Sequence, residues 1–286
     1  VSGDTDIRDL ALAWLKQVQA AGETFVFLPE AGAAAAREVA PQAIPAGPAV
    51  EAVQTSPEVE AARPAAPAEV KQTPIQAEVQ PQAAARNDES LEEFGKRISG
   101  CKLCELHRGR TNFVFGAGDP QADLMFVGEG PGAEEDRQGL PFVGASGQLL
   151  TKIIASVGFR REEVFIANMV KCRPPGNRDP REEEIAACNP YLLRQIELIR
   201  PKVIVTLGRH SAYFFHGRQD SMRALRSRVV SYNGISVVST YHPAALLRNP
   251  EYKRDTWEDM LLARAEYDRL GGRPSSGEVF RPPKKE

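Results

Sequence analysis

Asp123-Leu-Met-Phe-Val-Gly-Glu-Gly-Pro-Gly132 joins an unbroken apolar run to a glycine-rich turn. A run this short, stopped by glycines, reads as a buried strand, and Gly128, Gly130 and Gly132 allow a tight turn and close approach of backbone to a ligand. Three more runs share the form: Val164-Phe-Ile-Ala167, Lys202-Val-Ile-Val-Thr-Leu207 and Ile235-Ser-Val-Val-Ser239. Helical patterns separate them. Ser146 is the expected cap of a helix that aligns Leu149, Leu150, Ile153, Ile154 and Val157 and stops at Gly158. Asp179, Pro180 and Glu182 read as the start of another, which Pro190 breaks or kinks and Arg200-Pro201 ends. Alternating strands and helices predict an α/β fold with a parallel sheet covered on both faces. In such a sheet the binding crevice lies beyond the carboxyl ends of the strands.

The residues at those ends carry the chemistry. The turn after Val127 lacks a following Gly-Lys-Ser/Thr, and its glycines are spaced G-x-G-x-G, which argues against a nucleotide cofactor. Gly139-Leu-Pro-Phe142-Val-Gly144 sets an aromatic between turn glycines, as a stacking platform or a core plug. Asn168 closes the second strand; its amide can read the edge of a base or simply form a turn. Lys171, Arg173 and Arg178 surround Cys172, a loop suited to phosphate. After the last strand stands Tyr241-His242-Pro-Ala-Ala-Leu246-Leu247-Arg248, with one of only four histidines.

All four cysteines fall in Cys101-Lys-Leu-Cys104, Cys172 and Cys188: C-x2-C, then 67 residues, then C-x15-C. Such sets serve zinc and iron–sulfur clusters alike, and the spacing alone separates these neither from each other nor from disulfides or buried free thiols.

The chain's apolar residues are unevenly spread. Residues 31–86 form an Ala/Pro-rich stretch without aromatic residues, read as a disordered linker because it cannot bury enough apolar surface to offset its ordering entropy. Residues 1–30 hold a short helical element, a candidate docking piece for a replication or repair protein. A folded domain is expected over 87–272, with a flexible tail over 273–286. Residues 1–90 carry 6 Lys+Arg against 13 Asp+Glu, leaving 30 against 25 for the rest, so the domain is mildly basic and compatible with a polyanion. With no run of eighteen apolar residues and no basic-then-apolar start, a soluble, reducing, cytoplasmic setting without a membrane partner is expected.

Taken in order, Gly128-Glu-Gly-Pro-Gly132, Leu140-Pro-Phe142-Val-Gly144, Asn168-x3-Cys172-Arg-Pro-Pro and His242-Pro-Ala-Ala-Leu-Leu-Arg248, with the cysteines in register, resemble the family 4 uracil-DNA glycosylases, the iron–sulfur type of bacteria and archaea. The resemblance spans about Leu91 to Leu270. It implies a three-layer α/β/α fold with a central four-stranded parallel sheet, acting as a monomer near the nucleoid. It implies a [4Fe–4S] cluster on Cys101, Cys104, Cys172 and Cys188, and uracil-containing DNA as substrate. Gly130, Phe142, Asn168 and His242 would bind the flipped uracil, His242 and Glu129 would act in catalysis, and Lys171, Arg173, Arg178, Leu246, Leu247 and Arg248 would hold the DNA. The superfamily's water-activating Asp or Asn aligns with Gly130, which leaves the general base open. The competing expectation is a non-catalytic iron–sulfur DNA-binding or polymerase-associated module of the same fold.

Overall fold

A computed structural model describes residues 89–279. The expected N-terminal element and the linker lie outside the described residues. Helix α1 (Leu91–Ile98) opens the described part, held by a capping box in which Ser90 and Glu93 satisfy each other's backbone N–H groups. The short β1 (Ala117–Gly118) precedes β2 (Leu124–Gly128), α2 (Ala133–Gln138), α3 (Ala145–Ser156) and β3 (Phe165–Asn168). Then come α4 (Glu182–Ile199), β4 (Val203–Leu207), α5 (Arg209–His216), α6 (Met222–Leu225), β5 (Val229–Tyr232), β6 (Ile235–Thr240), α7 (Pro243–Arg248) and α8 (Tyr252–Arg269).

The sheet order is β1-β3-β2-β4-β6-β5. The four expected strands are its parallel centre, and β1 and β5 add antiparallel edges, so the sheet has six strands where four were expected. Two residues of β1 are too few to show a period. The β5–β6 hairpin turns at Asn233-Gly234, both at positive φ, the pair such a two-residue turn favours. β2 and β4 are buried along their whole length, as strands covered on both faces must be. One face sends Met125, Val127, Ile204 and Val237 against Leu192, Ile196 and Phe215 of α4 and α5. Helix α8 packs on β4 and β6 with Trp257 and Met260 buried, which completes three layers.

Local boundaries differ from the sequence pattern in physically clear ways. The cap of α3 is Gly144, not Ser146, and α4 is preceded by Arg181 with Glu184 at the third position, not by Asp179 with Glu182. Helix α4 runs through Pro190 without ending, since its buried flank, Tyr191, Leu192 and Ile196, outweighs one missing N–H bond. Residues 273–279, expected to be flexible, are pinned: Arg273 pairs with Asp119, the Ser276 N–H donates to Glu163, and Val279 bridges to Val157. Among the described residues no helix is long and apolar enough to cross a membrane.

Candidate active site

The carboxyl ends of β2, β3, β4 and β6 surround a cleft of about 580 Å³, lined among others by Glu129, Gly130, Phe142, Asn168, Asp179 and His242. Asn168 lies opposite Gly128 in the parallel register and is 2% exposed. Its Oδ1 is buried without a hydrogen-bond partner among the described residues. A buried amide oxygen left unpaired costs on the order of 1–3 kcal/mol, which a ligand N–H would recover.

Phe142 forms the adjoining wall, its ring centroid 5.5 Å from that of His242. Its backbone is left-handed (φ 51°), a strained state for an aromatic residue that neighbours must enforce. Glu135 enforces it by accepting the Val143 and Gly144 N–H groups on Oε1, both at 2.9 Å, while Arg161 donates to the Pro141 carbonyl at 2.5 Å. Gly128 leaves room for both walls: a Cβ there would come within 2.5 Å of Asn168 Oδ1 and of Phe142 Cζ. Gly128→Ala therefore closes the cleft from below. The expected result is an affinity loss for a free planar base of at least about 100-fold, with the fold retained, read by equilibrium binding and circular dichroism.

His242 caps α7 at the end of β6, and its Nδ1 accepts the Ala244 N–H at 3.1 Å. That bond fixes the neutral tautomer with its proton on Nε2. Burial, assisted by Arg248, lowers the imidazole pKa to about 4, with Glu135 opposing. At neutral pH His242 is thus an uncharged N–H donor in the cleft wall.

Glu129 follows β2. Burial raises its carboxyl pKa and Asp179 adds to the rise, while His210 and Arg209 oppose it. His210 Nε2 stands 3.6 Å from Glu129 Oε2 and 3.4 Å from Asp179 Oδ2, and Arg209 pairs with Asp179. These three ligand-type side chains lie close enough to hold a cation, but the guanidinium of Arg209 already neutralises Asp179.

The four thiols meet at a second, small cavity shared with His107, Arg110 and Phe113. Around them Phe94, Ile98, Leu106, Val170 and Tyr191 form a separate apolar cluster. The cavity's four sulfurs are of the donor type that holds either zinc or an iron–sulfur cluster. N–H and O–H donors aim at them: Arg110 to Cys172 at 3.2 Å, the Lys171 N–H to Cys188 at 3.3 Å and Tyr191 to Cys101 at 3.3 Å. Four soft donors wrapped in polar hydrogens suit an anionic metal–sulfur group.

Two expected DNA contacts are overturned. Lys171 is fully buried, its Nζ donating to the Asn168 carbonyl at 2.8 Å and to Gln195 at 2.6 Å, so it braces the strand end and cannot meet phosphate. Leu246 is 0% exposed and belongs to the core, whereas Leu247 is 48% exposed and free to act as a wedge. Arg178 reaches the cleft, yet it is held by Glu184 through bonds of 2.6 and 2.8 Å. Arg173 bonds neutral Asn177, and Arg248 is exposed on the cleft rim. Glu135, Arg209 and His210 were not singled out from the sequence, and Asp179 was read only as a helix start. His210 follows β4 as Glu129 follows β2, so the strand-end rule applied to Leu207-Gly-Arg-His210 would have found it.

A sequence profile described as the uracil DNA glycosylase superfamily matches residues 115–263. The type-4 uracil-DNA glycosylase of Sulfurisphaera tokodaii is 51% identical over 185 residues, covering 62% of this chain and 84% of that protein. Those of Archaeoglobus fulgidus and Thermotoga maritima are each 46% identical, covering 60% and 62% of this chain and 90% and 95% of theirs. With these matches over the segment that builds the cleft, the chain belongs to the uracil DNA glycosylase superfamily, alongside its type-4 members.

Proposed function

We propose that this protein removes uracil from DNA by hydrolysing the N-glycosidic bond, leaving an abasic site. The observation that carries the reading is the buried Asn168 Oδ1, without a hydrogen-bond partner among the described residues, in the same cleft as the Phe142 ring and an uncharged His242 N–H donor. A base must leave the duplex stack to reach such a cleft. Phe142 then stacks on it, and Asn168 accepts from N3–H and donates to O4. Cytosine offers the opposite pattern there and leaves both partners unpaired, at about 1–3 kcal/mol each. As the glycosidic bond breaks, electron density moves to uracil O2, where the His242 Nε2–H donates. Positive charge grows on the sugar, and Glu129 is the carboxylate that faces it or orients the attacking water. Leu247 fills the vacated stack, with Arg173 and Arg248 on phosphates.

A [4Fe–4S] cluster on Cys101, Cys104, Cys172 and Cys188 is the metal group that suits four thiols ringed by N–H and O–H donors. When bound it supplies a structural tie among the end of α1, the loop after β3 and α4. The non-catalytic module is not favoured by relatives that carry glycosylase names.

The test is an oligonucleotide bearing one uracil, with thymine and cytosine controls and alkaline cleavage after incubation. Cleavage confined to uracil is the expected outcome; binding without cleavage would return the non-catalytic module. Glu129→Gln is expected to slow single-turnover release by about 100-fold or more with DNA affinity retained, and full activity would remove Glu129 from the mechanism.

A further inference from the structure

Next to the cleft-lining Glu129 and Asp179 stands an imidazole to which the reaction outlined above gives no part. His210 stands in the first turn of α5, mostly buried, with its Nε2 between the carboxylates of Glu129 and Asp179. The three residues come from different segments: the turn after β2, the loop that continues from Cys172, and the helix after β4. Glu129 and Asp179 line the cleft, and His210 Nε2 lies within 3.6 Å of both carboxylates.

We propose that His210 is a positioning residue for base release, holding the Glu129 carboxylate in place and joining it to Asp179 on the loop that carries Arg173. The proposal rests on the reading of Glu129 as the carboxylate that faces the sugar. A side chain with several free rotamers gives little stabilisation to a charge that exists only in the transition state, and a fixed partner removes that freedom. The imidazole also answers an electrostatic need. Burial and Asp179 both favour the protonated form of Glu129, which is useless against a sugar cation, while His210 and Arg209 favour the carboxylate. Those are the charged groups facing Glu129 from its surrounding elements: Asp179 from the loop before α4, and Arg209 and His210 from α5. Arg209 Nε–H donates to His210 Nε2 at 3.2 Å in the tautomer that leaves Nε2 bare, and in the other ring form Nε2–H faces both carboxylates, so the four side chains form one coupled set.

The test is single-turnover uracil release across pH for the metal-loaded full chain and for Glu129→Gln, His210→Gln, Asp179→Asn and the Glu129→Gln/His210→Gln pair. His210→Gln is expected to slow release by about 10-fold or more at pH 7, with DNA affinity changed less than about twofold. Its acid limb should move to higher pH, because Glu129 loses a neighbour that favours its charged form. Asp179→Asn should move that limb to lower pH, by losing the neighbour that opposes it. In the paired variant, His210→Gln should add no further loss to that of Glu129→Gln. Damage to the fold would not shift the limb in opposite directions for two neighbours. Wild-type rate and limb in His210→Gln, or an equal loss on the Glu129→Gln background, would overturn the proposal while leaving Glu129's role intact. Wild-type activity in Glu129→Gln would instead remove the reading beneath it.

Discussion

His242→Ala is expected to slow uracil release by about 10²–10³-fold, the usual effect of removing one preorganised donor from a developing oxyanion, on the order of 2.7–4 kcal/mol. The size follows from the ring's preparation. The Ala244 N–H on Nδ1 leaves the only imidazole proton on Nε2, so no tautomer change is needed as the base departs. A neutral donor also avoids binding the departing anion too tightly. The loss should fall on the chemical step, with uracil-DNA affinity changed far less. Because the imidazole pKa lies at about 4, the wild-type rate should not follow His242 ionisation between about pH 5 and 8. An acid limb in that range then belongs to another group, Glu129 being the candidate.

The same depression gives a stability test. Unfolded, this histidine takes a proton near pH 6.5; folded, it refuses one until about pH 4. Between those values the unfolded chain binds more protons, so stability falls as pH falls, by up to about 1 kcal/mol per unit, and is unaffected above the window. His242→Ala removes that slope. Urea unfolding at pH 5 and pH 7.5 should show the variant gaining relative to wild type at the lower pH. An identical difference at both values would mean that the imidazole is not held neutral.

Cys188→Ala is expected to abolish metal loading and to lower stability by roughly 4 kcal/mol or more, the range in which loss of a structural metal falls. Cys188 sits 7% exposed in α4, and burial pushes its thiol up to about 12. Among the described residues few other groups hold the segment 99–112. The cluster around the thiols is small, and the segment carrying Cys101 and Cys104 is otherwise tied to the domain by Arg110 to Cys172, by Thr111 and Asn112 to Asp136, and by the Val114 N–H to the Lys171 carbonyl. Limited proteolysis should therefore cut within 99–112 in the variant and spare it in the wild type. Iron and acid-labile sulfide are expected in equal amounts in the anaerobically purified wild type and absent from Cys188→Ala. Zinc instead of iron would retire the cluster assignment but leave the four-thiol site.

The cleft and the thiol site are not independent. Lys171 touches both, with its N–H on Cys188 and its ammonium on the Asn168 carbonyl and Gln195. Loss of metal should therefore loosen the end of β3 that presents Asn168, and the uracil cleft with it.

The parallel core was legible because short apolar runs such as Met125–Val127 and Val203–Leu207 leave few choices once both faces must be covered. The edges were not: β1 is too short for any period, and β5 alternates exposed and half-buried residues as any loop might. Among site residues, those on strand ends with unusual chemistry, Glu129, Asn168 and His242, stood out from their neighbours. Lys171 misled because a lysine among arginines next to a loop cysteine has the composition of a phosphate site, and only the chain's path turns it inward. Leu246 and Leu247 are indistinguishable as letters; one helical step of about 100° sends the first into the core and the second to solvent.

By itself the sequence determined the order of the four central strands, the residues at each of their ends and a four-cysteine set, since these depend on local period and residue chemistry. The tertiary structure decided which of them meet. Sulfurs with 67 residues between them in sequence share a cavity, Glu135 clamps the strained Phe142, and His210 stands between two carboxylates from separate segments. Side chains from distant segments come within a few ångströms only when the sheet register and helix packing are fixed, and no local pattern encodes that distance.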